Sequence, residues 1–134
     1  MGLNKPVDFT TAKLLKEKGF DENCRFGYNG SFEPHHIGLI EFGYLQRNSE
    51  LLKLTYSAPT IAEVVMWCFN KYKYSIEYSM NIPESGEYDG CYVFNGLIKG
   101  SEDYKLKIFY TSKDYPTVEK ALEDTINHFL INFC

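Results

Sequence analysis

The side chains best suited to chemistry in this sequence are two adjacent histidines, His35 and His36. With Glu33 or Cys24 they could form a zinc site, because imidazole and thiolate groups are good zinc ligands. Adjacent histidines rarely point at one ion, however, and no helical spacing of histidine or cysteine ligands supports the pair. A solvated loop is the favoured interpretation, and we expect no metal ion and no other cofactor.

Nucleophilic catalysis is a second chemistry that these residues could support. Cys91 or Cys24 could pair with His35 or His36. A cysteine–histidine nucleophile needs spatial proximity and a third group that orients the histidine. Nothing in the spacing selects one pair over another, so the sequence predicts no catalytic residue.

The remaining charged groups are predicted to be structural. Glu84, Glu87 and Asp89 share one acidic loop but lack the regular oxygen ligands of a calcium loop. His128 follows Asp124 by four residues and is expected to pair with it on a helix. Glycine-rich phosphate-binding motifs are absent. The sequence therefore favours a protein that is not an enzyme.

Aromatic residues make up 16% of the chain and suit binding faces as well as cores. Trp67, the only tryptophan, lies off the apolar stripe of its predicted helix. Either a loop or the first helix covers it, or it anchors a partner or a dimer. The candidate interaction residues are Trp67, Met66, Tyr78 and Tyr92.

Length and composition limit the class of protein. A chain of 134 residues with 44% hydrophobic content predicts one domain, residues 1–134, with its own core. A net charge of −4 argues against nucleic acid and against a polybasic membrane anchor as modes of binding. There is no long apolar run and no signal-peptide core. We therefore expect a cytoplasmic protein with free cysteines, and neither nucleic acid nor a membrane as its partner.

Three helices are predicted from capping and periodicity. The clearest begins after Thr60, which forms a capping box with Glu63. Earlier, Asp8 caps a helix that runs through Lys18, and later Thr117 caps the last helix. The apolar face of the central helix consists of Ile61, Val64, Val65, Cys68 and Tyr72. The apolar face of the last helix consists of Val118, Ala121, Leu122, Thr125, Ile126, Phe129 and Phe133.

The strands are predicted from alternation and turn residues. Asn29-Gly30 favours a two-residue hairpin. Asn95-Gly96 is ambiguous: it could form a tight hairpin, but we favour one longer strand with a bulge at Gly96 and a turn at Gly100–Asp103. The other strands are 37–44, 51–56, 74–82 and 105–110. Short connections favour an α+β domain, an antiparallel sheet with about three helices packed mainly on one face.

Three parts of the chain carry a resemblance. They are the stretch 12–22, the run from Ala58-Pro59-Thr60 to Trp67, and the set Tyr115, Glu119, Ala121 and Leu122. Together they resemble uncharacterised small proteins of gut bacteria and of their phages or integrated mobile elements. Cys68 and Phe69 depart from that pattern. The resemblance implies a phage or mobile-element context but no particular activity.

Three hypotheses follow for the function. The first is a non-enzymatic accessory protein that binds another protein, or a second copy of itself as a homodimer, through Trp67 or the aromatic strand face. The second is a small metal-binding protein or enzyme that uses His35, His36 and a cysteine. The third is a nucleic-acid mimic that uses the acidic loop, although a net charge of −4 is small for that role.

Overall fold

The computed structural model describes residues 2–32, 37–81, 92–102, 104–110 and 113–134. The three helices are α1 (Phe9–Glu17), α2 (Ile61–Tyr72) and α3 (Val118–Asn132). The six strands are β1 (Cys24–Asn29), β2 (Leu39–Gln46), β3 (Thr55–Ser57), β4 (Ser75–Asn81), β5 (Val93–Glu102) and β6 (Lys105–Tyr110). The predicted α+β class is confirmed, but the strands form two antiparallel sheets rather than one.

The first sheet has the order β2-β1-β3, with β1 in the centre. The predicted hairpin at Asn29-Gly30 is wrong, because β1 runs through Asn29 and a short 3₁₀ helix, Gly30–Phe32, follows it. The partners of β1 come from β2 and β3, farther along the chain. Gly30 N donates to Leu54 O at 2.6 Å, which ties this turn to the segment before β3. A contact from another part of the chain thus outweighs the local turn signal.

The second sheet has the order β4-β5-β6. The prediction of one strand through Asn95-Gly96 is confirmed, but the bulge is wrong: Ser79 pairs with Asn95 and Tyr78 with Gly96 in unbroken register. The strand also continues past Gly100 and ends at Glu102. Glycine is needed at position 96 for packing, because a Cβ there would overlap the side chain of Thr125 on α3.

The helix caps agree with the sequence. The Asp8 carboxylate accepts a hydrogen bond from Thr11 N at 2.9 Å. Thr60 Oγ1 accepts from Glu63 N at 3.2 Å, and Glu63 Oε1 accepts from Thr60 N at 2.8 Å, which completes the capping box. Thr117 caps α3. Each cap satisfies backbone N–H groups that the first helical turn leaves without an intrahelical partner.

The core lies where α2 and α3 pack on the second sheet and where α1 packs against the first sheet and α3. It includes most of the predicted apolar faces of α2 and α3. Cys24, Cys68 and Cys134, the three cysteines that the structure describes, are free thiols. In the described ranges, no helix combines the length and apolar composition that a membrane crossing requires.

Candidate interaction groove beside the central helix

Trp67 is buried, with 8% of its surface exposed. Its ring lies 5.3 Å from that of Phe20 and 5.7 Å from that of Tyr72, measured between centroids. The Lys71 ammonium lies 5.1 Å from the Trp67 ring centroid. Phe20, just beyond α1, therefore covers the indole, as one of the two sequence interpretations expects. Trp67 offers little surface of its own to a partner.

Met66, the next residue on α2, is 57% exposed and separates two depressions. The first depression has a volume of about 500 Å³ and lies between α2 and residues 20–23. Trp67 and Phe20 line it together with Asn23. Met66 therefore stands on a ridge, with the edge of the buried indole on one side.

The second depression, of about 380 Å³, lies between α2 and β4. Its lining is mainly apolar and includes Val65, Ile76, Tyr78 and Leu122. Ile76 and Leu122 are buried, whereas Tyr78 is 39% exposed. We call the two depressions and the Met66 ridge the α2 groove. It combines an apolar interior with accessible Met and Tyr side chains, a pairing that is common at protein interfaces.

Three of the four candidate interaction residues thus meet at the α2 groove. Tyr92 is 55% exposed and directly precedes β5, but it is not among the residues that line either depression. The ring of Tyr78 lies 6.1 Å from that of Phe94 on β5, measured between centroids. The α2 groove is lined by α2, β4 and the loop after α1, together with Leu3 from the N-terminal segment and Leu122 from α3.

The charged residues that line the α2 groove are all acidic. Glu22 and Glu63 line the first depression, and Glu77 lines the second. The nearby Lys71 ammonium is held over the rings of Trp67 and Tyr72, at 5.1 and 5.4 Å. The groove therefore has an apolar interior and a negatively charged margin.

The described cysteines are poorly suited to chemistry as thiolates. Cys24, the first residue of β1, is buried, and this burial raises the pKa of its thiol to about 12. Burial likewise raises the pKa of Cys68 to about 12. Since the thiolate is the nucleophile and the metal ligand, neither group is activated at neutral pH.

The sequence suggested two roles for histidines: a metal or nucleophile site at His35 and His36, and a helical pair of His128 with Asp124. His35 and His36, with Glu33 and Cys91, lie outside the described residues, as does the acidic loop of Glu84, Glu87 and Asp89. Among the residues that are described, no three potential metal ligands converge. Asp124 Oδ1 lies 3.9 Å from Lys120 Nζ, and His128 Nδ1 lies 3.3 Å from Asn132 Nδ2. The Asp124–His128 pair expected from the sequence stays a prediction.

A carboxyl pair between Asp8, an exposed residue, and Glu123, a buried one, was not anticipated from the sequence. Asp8 N donates to Glu123 Oε1 at 3.0 Å, and the two carboxyl groups are also hydrogen-bonded to each other. Burial, this bond and the Asp8 charge raise the pKa of Glu123 to about 7. Partial loss of solvent contact disfavours the Asp8 carboxylate, but its hydrogen bonds to Glu123 and Thr11 outweigh that effect and lower its pKa. The pair therefore holds one proton across mildly acidic pH.

Two more hydrogen bonds join the N-terminal segment to α3. Gly2 N donates to Glu119 Oε1 at 2.6 Å, and Thr11 Oγ1 donates to Asn127 Oδ1 at 2.7 Å. Together with the Asp8–Glu123 pair, these hydrogen bonds involve Glu119, Glu123 and Asn127, which are spaced four residues apart along α3. No local sequence signal indicates these contacts, because the partners lie about 115 positions apart.

No family model, curated protein or solved structure matches this chain.

Proposed function

We propose that this protein is a non-enzymatic, cytoplasmic binding module that recognises another protein through the α2 groove. Its setting would be that of an accessory protein of a phage or mobile element, in keeping with the resemblance noted in the sequence. The observation that carries the proposal is Met66, which stands exposed between two depressions on a helix whose opposite face is fully buried.

The chemistry of the groove suits recognition better than catalysis. Methionine is unbranched and polarizable, so an exposed Met66 can adapt to the side chains of a partner. Tyr78 offers an apolar ring with a polar end, which is typical of residues that dominate binding energy. The second depression, behind them, is lined mainly by apolar side chains that are already ordered by the core. Binding would therefore require little reorganisation of the groove.

A displayed library of random twelve-residue peptides tests the proposal, since such a library samples many possible partner sequences at once. The target proteins are the wild type, Met66→Lys and the control Leu52→Lys. Leu52 is 81% exposed and lies outside the groove, so both variants place the same charge at an exposed apolar position. We expect peptides that bind the wild type and Leu52→Lys but lose binding to Met66→Lys. Circular dichroism verifies that each variant is folded.

Two results would contradict the proposal. One is a library that yields no Met66-dependent peptide. The other is a set of peptides that bind Met66→Lys and the wild type equally well, which would place recognition elsewhere on the surface.

A homodimer through the same groove is the competing use of this surface. Light scattering on the wild type and on Met66→Lys distinguishes the two. A dimer that Met66→Lys dissociates, with its fold intact, would show that a second copy occupies the groove.

A further inference from the structure

Building on the binding role proposed above, we infer that the α2 groove takes an extended peptide of alternating apolar and basic residues. This peptide adds to the second sheet as a fourth strand along the free edge of β4. Main-chain hydrogen bonds to β4 would provide the register, and α2 would form the opposite wall.

The first support is the edge itself. β5 pairs with β4 along its whole length, from Ser75↔Lys99 to Asn81↔Val93. On the other side of β4, the described part of the chain supplies no pairing strand. Half of the N–H and C=O groups of an edge strand point away from its partner and can pair with another chain.

The second support is that β4 has less of the usual protection of an edge than the opposite edge strand of its sheet. Proteins commonly guard edge strands with lysine, proline or a bulge. The opposite edge of the same sheet, β6, carries Lys105 and Lys107. In contrast, the strand Ser75–Asn81 has no lysine and no proline, its one charged residue is Glu77, and its register is unbroken. Of the two edges of this sheet, β4 is therefore the better acceptor for an added strand.

The third support is the position of the second depression. It lies between α2 and β4, so a strand beside β4 would run next to the helix. Alternate side chains of a strand point to the same face. One set would therefore enter the apolar depression near Tyr78 and Ile76, and the other set would point to solvent. With a rise of about 3.3 Å per residue, a strand as long as the twelve-residue α2 has about five or six residues.

Charge selects between the possible occupants. The charged group that lines the second depression, beside β4, is Glu77, whereas Glu22 and Glu63 line the first depression across the Met66 ridge. A second copy of this chain would bring the same acidic groups to the interface, and like charges that face each other across paired strands are destabilising. A peptide with basic residues between its apolar ones would instead be attracted to the margin.

Three displayed libraries of eight-residue peptides test this inference. Apolar residues are varied at alternate positions, and the intervening positions are fixed as lysine, glutamate or serine. We expect Met66-dependent peptides to come from the lysine library. The best of them is then resynthesised with N-methyl groups on one alternate set of residues or on the other. We expect one set to weaken binding about tenfold or more, and the other about twofold or less, because only one set donates to β4.

A charge variant tests the acidic margin independently. Glu77→Lys is expected to weaken binding of the lysine peptide about threefold or more, and to strengthen binding of the glutamate peptide. The control is Glu41→Lys on β2, an exposed strand residue of the other sheet, which should change neither affinity. Equal effects of the two variants would contradict a role for the groove margin.

The results separate this inference from the binding role on which it rests. Met66-dependent peptides that tolerate N-methylation at every position would overturn strand addition but leave the binding role intact. Met66-dependent peptides that come from the glutamate library would overturn the basic partner. A lack of any Met66-dependent peptide would overturn both, and a dimer that Met66→Lys dissociates would assign the groove to a second copy. Should Met66→Lys unfold, Tyr78→Ala serves as the groove variant.

Discussion

Replacing Glu123 by glutamine should change how the stability of this protein depends on pH. Glu123 is 7% exposed, and its carboxyl group is hydrogen-bonded to that of Asp8. Glutamine has nearly the same shape as protonated glutamate, and its amide can donate to the Asp8 carboxylate. The variant therefore reproduces the protonated pair but cannot become a pair of adjacent negative charges.

The sign and size of the effect follow from the pKa of Glu123. Its value in the folded protein is about 7, above its ordinary value of 4.5. Between these values the folded state holds a proton that the unfolded state has released, so stability falls as pH rises from 4.5 to 7. A difference of this size corresponds to about 3 kcal/mol in the free energy of unfolding. The value of about 7 already includes the charge of Lys5, which lowers the Glu123 pKa.

Urea unfolding of the wild type and Glu123→Gln between pH 4.5 and 8 measures the difference directly. We expect similar stability near pH 4.5 and a variant that is about 2–3 kcal/mol more stable than the wild type at pH 8. Glu119→Gln, one turn earlier on α3, is the matched control. The pKa of Glu119 is lowered by its backbone hydrogen bonds, so this variant should lose stability at neutral pH.

If the free energies of unfolding of the wild type and Glu123→Gln changed in parallel with pH across this range, the reasoning would be refuted. Glu123 would then have the same pKa in the folded and unfolded states. Asp8→Asn gives a second check. Asparagine caps a helix as well as aspartate does, and it removes the negative charge beside Glu123. The pKa of Glu123 should therefore fall, and the decrease in stability between pH 4.5 and 7 should become smaller.

Three further variants test the fold. Gly96→Ala should lower the free energy of unfolding by about 2 kcal/mol or more in urea titrations, because the new Cβ would overlap the Thr125 side chain. Lys16→Met should speed hydrogen exchange around residues 52–55, with a loss of about 1–2 kcal/mol, because the ammonium donates to Leu52 O at 2.9 Å and Thr55 O at 2.7 Å. Thr60→Ala should lower the thermal midpoint and reduce stability by about 1 kcal/mol, since it removes the N-cap of α2.

The features that the sequence predicts correctly are mainly those that depend on nearby residues. Thr60 and Glu63 are three positions apart, and the interaction that caps α2 depends only on that spacing. The buried stripe of α3 likewise follows from helical periodicity. Asn29-Gly30 also carries a local signal, but β1 finds its partners in β2 and β3. The predicted hairpin fails because sheet pairing is decided by the tertiary contacts of the strand.

The candidate site was predicted in part. Met66 and Tyr78 do lie at one groove, but that groove exists only because β4 turns back beside α2. The exposure of Trp67 could not be settled from its helix, because Phe20, far away in the chain, covers the ring. The burial of Glu123 could not be predicted from the sequence for a related reason. Its burial depends on Asp8, 115 positions away, and a glutamate on a helix ordinarily suggests a solvated face.

The hydrogen bonds between the N-terminal segment and α3 have a consequence for the order of events during synthesis. The first helix emerges from the ribosome more than one hundred residues before α3 is complete, so Thr11 and Asp8 must wait for Asn127 and Glu123. Closing so long a loop is slow compared with forming local contacts. The nascent chain can therefore cap α1 and α2 early, but the surface of α1 that faces α3 stays open until the last helix arrives.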